Sequence, residues 1–383
     1  MVPFDYQPRT RIVFGPDKID SLGDLAGELG ARRALVVSDP GLVSAGHADH
    51  GLAALRRAGI ETHLFDKVHP NPTTADVEAG VAVAKRYEPE ILVGLGGGSS
   101  MDCAKGINFV YTNGDRMQDY WGVGKATRAM LPMIAVPTTA GTGSEAQSFA
   151  LISDAKTHVK MACGDRKASC RIALLDPVLT LTQPASVTAL TGIDAISHAL
   201  ETYVTRRRNP ISLAFSREAW RLLGANFCRV FEDPSDLEAR GGMLLGACFA
   251  GLAIENSMLG ATHALANPLT ARYGVVHGQA IALMLPHVIR FNGVQHGRWY
   301  SDLLDCSDGS NGAPQPATGA AGLADYVSRL TAKAGLRSRL SECGVKYDDL
   351  PAMATDAAKQ WTGGFNPRPV TEEDLLKLYE SAY

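Results

Sequence analysis

Glu90–Ile107 reads EILVGLGGGSSMDCAKGI, an apolar run that passes through Gly94, Gly96, Gly97 and Gly98 into a helix-forming stretch. This is the order strand, glycine turn, helix. Glycines at such a turn let backbone N–H groups approach a pyrophosphate, and the helix N-terminus that follows favours its charge. As G-x-G-x-x-S from Gly94 the match to a dinucleotide fingerprint is loose, and a glycine turn between strand and helix also serves as a tight turn alone.

On either side, β-rich runs alternate with helical stretches up to about residue 185: RIVFG, RALVVSD, THLFDK, EILVGLGGG, PMIAVPTTA and RIALLDP. That alternation predicts a mostly parallel, Rossmann-like sheet wound with helices. After Pro184 the β-runs stop and long helical patterns such as LAFSREAWRLLGANFCRVF and GGMLLGACFAGLAIENSML take over, which predicts an all-α second domain. The expected division is 1–185 and 186–383. CSDGSNGAPQPATGAAG, from Cys306, reads as the clearest loop.

The first half holds a second hydroxyl- and glycine-rich turn, PTTAGTGSE from Pro137 to Glu145, after the strand MIAV. Thr138, Thr139 and Thr142 can donate to phosphate or ribose, although Ser/Thr turns also cap helices with no ligand present. Asp39 ends the strand ALVVSD, where a carboxylate accepts from ribose hydroxyls and repels a 2′-phosphate, favouring NAD over NADP. Asp39 precedes the glycine turn, so the ordinary Rossmann order does not apply.

The second half carries the metal candidates Asp194, His198, His263 and His277. In TALTGIDAISHALETYV, Asp194 and His198 are one helical turn apart and leave the same face. His263 and His277 would lie roughly 21 Å apart on one straight helix, so Pro268 and Gly274 between them are expected to break it and return the second histidine. Three imidazoles and a carboxylate suit Fe²⁺ or Zn²⁺. An Asp/His pair at i, i+4 is also a common helix pair, and a histidine between Thr and Ala is often a satisfied core residue.

The chain has 383 residues, 45% of them hydrophobic and 20% charged, enough for two full cores. A net charge of −3 argues against a nucleic-acid or polybasic membrane surface. Arg206, Arg207 and Arg208, the only dense basic run, read as a solvated helix end. Seven cysteines without a CxxC pair read as reduced thiols of a cytoplasmic protein. MVPFDYQPRTRIVFG lacks the pattern of a signal peptide, and no run approaches the roughly 20 uninterrupted apolar residues of a membrane span.

In combination, FGPDKIDSLG, HPNPTTADVEAGV, GGGSSMDCAKGI, PTTAGTGSE, LLDPVLTLTQP, GIDAISHALETYV, VHGQAIALMLPHVIRFN and NPRPVTEEDLLKLY resemble the iron-containing (group III) alcohol dehydrogenase family, in order and over nearly the whole chain. The resemblance implies an N-terminal nicotinamide-binding α/β domain and a C-terminal helical metal-binding domain, the architecture shared with dehydroquinate synthase, with a cleft between them. It places metal ligands on Asp194, His198, His263 and His277. It places cofactor contacts on Asp39, Asn71, Gly96, Gly97, Gly98, Ser99, Ser100, Asp102, Thr138, Thr139 and Thr142, together with Phe149, Lys160 and Leu179. The implied activity is reversible NAD(H)-linked oxidation of a small primary alcohol to its aldehyde, with the ion, Fe²⁺ or Zn²⁺, as Lewis acid. A homodimer is the family's expected state.

The chain departs from its relatives' pattern at Asn267. Many carry a histidine there, four residues after the third ligand, beside the substrate. An amide exchanges no proton at neutral pH, so the relay runs through water and ribose, or the substrate takes an amide hydrogen bond. The plain alternative is a helix-end residue before Pro268. Val276 and Gln147 replace the usual Pro and Thr. His287 reads as structural or supporting, and His47, His50, His63, His69, His158 and His296 as surface or packing residues. Three alternatives stand beside the dehydrogenase: a zinc polyol dehydrogenase of glycerol type, a lyase of dehydroquinate synthase type, for which Asp194–His277 lacks the needed lysines, and a non-catalytic dinucleotide sensor.

Overall fold

The structure, a computed structural model, describes residues 3–306 and 318–383. It divides into two compact units, one of Gln7–Thr139 with Gly143–Gln183, the other of Pro184–Tyr383 with Ala140–Thr142 and the N-terminal residues to Tyr6.

In the first unit the six β-rich runs become the strands of one sheet: β1 (Arg11–Phe14), β2 (Arg33–Val37), β3 (Glu61–Phe65), β4 (Ile91–Gly96), β6 (Met133–Pro137) and β9 (Ile172–Leu175). Their order is β1-β9-β6-β4-β2-β3, and every pairing is parallel. Side chains alternate across it: Leu35, Val37 and Leu92 enter one apolar cluster with Val77, Met101 and Ile107, while Ala34, Val36, Ile91 and Val93 enter the other with Leu22, Leu52 and Leu55. The crossovers are α1 (Leu22–Glu28), α2 (Pro40–Ser44), α3 (His47–Arg57), α4 (Thr74–Tyr87) and α5 (Gly98–Asn113). Three further strands, β5 (Gly122–Val123), β7 (Phe149–Ser153) and β8 (Lys160–Gly164), form a small sheet with an antiparallel β7/β8 pair. These were not evident as β-runs, because the buried Ala150, Ile152, Met161 and Cys163 are spaced among polar or exposed positions.

The second unit is helical: α6 (Ala185–Val204), α7 (Pro210–Asn226), α8 (Arg229–Glu232), α9 (Leu237–Asn256), α10 (Ala261–Tyr273), α11 (His277–Asp305), α12 (Gly319–Lys333), α13 (Leu350–Ala358) and α14 (Glu372–Ser381). From Ile193 to Val204 α6 is buried throughout, so polar side chains on it must find partners within the unit. By length and mean hydropathy, 1.4, α9 would cross a bilayer, but 67% of that window is buried, against α6 and α7.

Three local readings change. Pro268 sits inside α10 and does not end it, so Asn267 is a mid-helix residue. Arg208 is not a solvated helix end: its guanidinium lies 4.9 Å over the Tyr203 ring and 4.1 Å over Trp299, a paired cation–π contact. Gly319–Gly322, read as loop, open α12, while residues 307–317 of that loop fall outside the described residues. All seven cysteines are free.

Candidate functional site

The helical unit brings Asp194, His198, His263 and His277 together. Asp194 and His198 occupy one face of α6, His263 the first turn of α10 and His277 the first residue of α11. Gly274, at φ 64°, ends α10 in the left-handed conformation that costs glycine least, and three residues later the chain re-enters a helix at His277. The return to His277 is therefore made at Gly274, and Pro268 stays within α10.

Asp194 Oδ1 lies 3.4 Å from His198 Nε2, 3.5 Å from His263 Nε2 and 3.7 Å from His277 Nε2, and the first two nitrogens are 3.1 Å apart. With metal–ligand bonds of about 2.0–2.2 Å, tetrahedral donors stand about 3.3–3.6 Å apart, so these separations suit a shared ion; the ligand atoms of Asp194, His263 and His277 all lie within 4.8 Å of one another, and His198 adjoins the group through Asp194 and His263. Asp194 Oδ1 is buried without a hydrogen-bond partner among the described residues, an expensive state for a carboxylate oxygen that a coordinated cation relieves. Burial alone would raise the Asp194 pKa, but the three imidazoles outweigh it and hold the carboxyl below its ordinary range. Burial lowers His198, against the pull of Asp194. His263 is opposed by burial yet held up at about 9 by Glu201 and Asp194. Carboxylates on both sides of the imidazoles favour a cation at the centre.

Glu201 is a residue the sequence reading missed. Its Oε2 accepts from His263 Nδ1, and its Oε1 accepts from the Gly260 and Thr262 N–H groups at 3.1 and 2.9 Å. That bond places the His263 proton on Nδ1 and leaves Nε2 as the donor atom, the usual carboxylate–histidine–metal arrangement. The available signal was spacing: Glu201 stands seven residues after Asp194, two turns along the same face of α6. Asn267, one turn after His263 on α10, donates from Nδ2 to Gln360 Oε1 at 2.9 Å.

In the α/β unit, Asp39, the Gly96–Gly98 turn and Thr138 follow the carboxyl ends of β2, β4 and β6, which are neighbours in the sheet. Ligands of open α/β sheets bind there. Helix α5 begins at Gly98, so its first N–H groups face the same end. Asp39 Oδ1 caps α2 through the Gly41 and Leu42 N–H groups, while Oδ2 accepts from Ser100 Oγ at 3.2 Å. Asn71, at φ 53°, donates its N–H to Ser99 Oγ at 3.2 Å, and the Thr138 N–H donates to Gly96 O at 3.1 Å. A side-chain carbon at Gly97 would sit 3.4 Å from Thr139 Oγ1. Asp39, Asn71, Gly96, Gly97, Gly98, Ser99, Ser100, Thr138 and Thr139 thus form one connected group.

The remaining cofactor candidates make other contacts. Asp102 is buried, accepting from Ser144 Oγ at 2.6 Å and the Leu151 N–H at 3.3 Å. Lys105, with no exposed surface, donates to Ser144 Oγ and to the Ser144 and Phe149 carbonyls, so Asp102 and Phe149 belong to an internal network around that ammonium. Lys160 is exposed at the start of β8. Leu179 packs in the apolar core with Ile19 and Leu22. Thr142 groups with the helical unit.

Six of the other seven histidines have partners: His47 with Thr182, His50 with Asp20, His69 with Asp76, His287 with Ser381, and the rings of His63 and His296 against Tyr87 and Trp299.

A parallel sheet of dinucleotide-binding type in one unit and a His₃Asp cluster among helices in the other fit a metal-dependent oxidoreductase class. Residues 8–177 match the family model "Iron-containing alcohol dehydrogenase" and residues 188–383 match "Fe-containing alcohol dehydrogenase family, C-terminal". The chain is 36% identical over 383 residues to a 1,3-propanediol dehydrogenase of Citrobacter freundii, covering 99% of both chains. It is 33% identical to an NAD-dependent methanol dehydrogenase of Bacillus methanolicus, covering 97% of both. Among solved structures, a 1,3-propanediol oxidoreductase superposes with TM-score 0.94 at 35% identity over 100% of both chains. The chain belongs to the iron-containing alcohol dehydrogenase family and is an alcohol oxidoreductase.

Proposed function

We propose that this oxidoreductase interconverts a small primary alcohol and its aldehyde with NAD(H), using Fe²⁺ held by Asp194, His198, His263 and His277. The observation that carries the reading is the buried carboxylate oxygen without a hydrogen-bond partner among the described residues, facing three imidazole nitrogens. Residues 1–185 then serve as the NAD-binding domain and 186–383 as the metal-binding domain. Fe²⁺ is favoured over the zinc polyol alternative because both matching family models are of the iron type.

When bound, the ion supplies Lewis acidity, lowering the pKa of the alcohol hydroxyl and polarising the aldehyde carbonyl. Glu201 holds His263 in the tautomer that presents Nε2. The Gly98 end of α5 and the hydroxyls of Ser99, Thr138 and Thr139 take the pyrophosphate, with Asp39 towards ribose and against a 2′-phosphate. A bound nicotinamide would supply the hydride chemistry, so no protein nucleophile is required; burial keeps the thiol of Cys103 protonated. Asn267 stands on the substrate side and offers an amide instead of a proton relay. The names of the relatives, acting on propanediol and methanol, support a short substrate. Aldehyde reduction is the expected cellular direction, and a cytoplasmic homodimer the expected state.

The test is NADH oxidation against a panel of small aldehydes, with protein stripped by chelator and reloaded with Fe²⁺ under argon or with Zn²⁺. Activity that returns only with metal and is absent in His263→Ala supports the reading. No turnover with either ion, despite bound NADH, refutes it.

A further inference from the structure

The C-terminal motif Asn366-Pro367-Arg368-Pro369 stands outside the cluster, yet with Phe365 it touches all three helices that carry the four ligand candidates. Phe365 O accepts from Thr205 Oγ1 at 3.0 Å and from the Arg206 N–H at 2.9 Å, at the end of α6. Asn366 Oδ1 accepts from the Ala261 N–H at 3.2 Å, the first residue of α10. The Asn366 amide also pairs reciprocally with Asn292 of α11, at 2.7 and 3.0 Å, and donates to Arg368 O at 2.6 Å. Arg368 closes the segment on α11, with Nη1 3.0 Å from Phe291 O and its guanidinium 3.7 Å over the Phe291 ring.

The start of α10 shows what this does. Gly260, Ala261 and Thr262 present three successive N–H groups that no residue of α10 can accept. Glu201 takes the first and third, and Asn366 takes the second. The next residue is His263. Asn366 and Asn292 are 2% and 1% exposed, so water does not substitute for either amide. We propose that Asn366 is a positioning residue for the metal centre: with Asn292 it fixes the start of α10 against α11, and so the direction in which His263 presents Nε2. This rests on the metal reading above.

The test is Co²⁺ binding to chelator-stripped protein, followed by competition with a chromophoric chelator and by the visible absorption of the bound ion, with thermal unfolding of the stripped protein alongside. Asn226→Ala is the comparator, since Asn226 is also buried in the helical unit but its amide bonds Leu222 O and Arg229. Asn366→Ala is expected to weaken Co²⁺ binding by about 10- to 100-fold, the usual cost of losing an outer-shell partner, and to alter the spectrum. Asn226→Ala is expected to lower Tm while leaving affinity within about twofold, well short of an outer-shell loss. Wild-type affinity in Asn366→Ala overturns the inference, as does an equal loss in Asn226→Ala. Wild-type protein that binds no Co²⁺ overturns the metal reading itself. Should Asn366→Ala fail to fold, Asn292→Ser removes the reciprocal amide and keeps the Ala261 cap: a loss of about 3- to 10-fold, short of the full outer-shell effect, supports the inference, and a smaller change overturns it.

Discussion

Replacing Glu201 by glutamine tests whether this carboxylate sets the tautomer of a metal ligand. The two backbone N–H groups that Glu201 Oε1 accepts, at 3.1 and 2.9 Å, are buried, and each would cost about 1–3 kcal/mol if left unpaired. The glutamine oxygen therefore turns towards Gly260 and Thr262, which points its NH₂ at His263 Nδ1. A donor there needs a lone pair on Nδ1, so the ring proton moves to Nε2, the atom 3.5 Å from Asp194 Oδ1. Metal binding must reverse that choice, either by flipping the amide away from the two N–H groups or by forcing two donors together. Both routes cost about 2–3 kcal/mol, or about 30- to 150-fold in affinity at 1.4 kcal/mol per factor of ten. Stripped wild-type and Glu201→Gln proteins are titrated with Co²⁺ against a chromophoric chelator at one pH, and circular dichroism checks that the variant is folded. A folded variant whose Kd lies within about threefold of wild type would refute the tautomer argument, since a misplaced proton costs more than that.

Other expectations follow from single residues. Gly278 follows His277, and a Cβ added there would lie 2.1 Å from Leu190 O, a backbone atom that cannot swing away; Gly278→Ala should lose about 1–3 kcal/mol of stability and weaken Co²⁺ binding, whereas Gly297→Ala, with nothing within 4 Å, should do neither. Asp39→Asn keeps an amide that still caps α2 and removes the charge, so the NADPH/NADH ratio of kcat/KM should rise by about tenfold, equivalent to relief of one repulsion of about 1.4 kcal/mol; an unchanged ratio counts against Asp39 at the ribose. Asn267→His places an imidazole beside Gln360 and should add a limb to the pH profile of kcat/KM near 6.5, the ordinary histidine range; superposable profiles would remove Asn267 from the substrate side. Asp76 accepts from Thr73 N and Thr73 Oγ1, both at 2.7 Å, and pairs with His69 Nδ1 at 2.6 Å; burial opposes, but these partners lower its pKa. A lowered folded-state pKa gives stability that is present above the unfolded value of about 3.9 and fades as pH falls through the folded one. Urea unfolding of Asp76→Asn should therefore show a deficit of about 1 kcal/mol at pH 7 that closes in acid, and a deficit independent of pH contradicts the linkage.

The sequence made legible whatever a local pattern dictates. The six strands of the main sheet are the six β-rich runs, and the four inner ones, β9, β6, β4 and β2, are nearly uninterrupted apolar sequence because a parallel sheet is covered on both faces. The metal candidates surfaced because Asp194 and His198, one turn apart, share a helix face and three imidazoles with a carboxylate are a ligand set for a divalent ion. Less visible was anything decided by partners far along the chain. Pro268 reads as a breaker, but the packing of α10 on α11 and α13 carries the helix through it, and Gly274 makes the turn. Glu201 reads as one more polar residue of α6 until its carboxylate is seen against Gly260, Thr262 and His263, about 60 residues away. Asn366 sits in a motif whose composition suggests only a turn, yet its amide is the acceptor for Ala261, 105 residues earlier. The residues that hold the donors are thus spelled in sequence, and the residues that aim them are not. Aiming depends on which backbone N–H groups a buried helix start leaves unpaired, and no one-dimensional period encodes that.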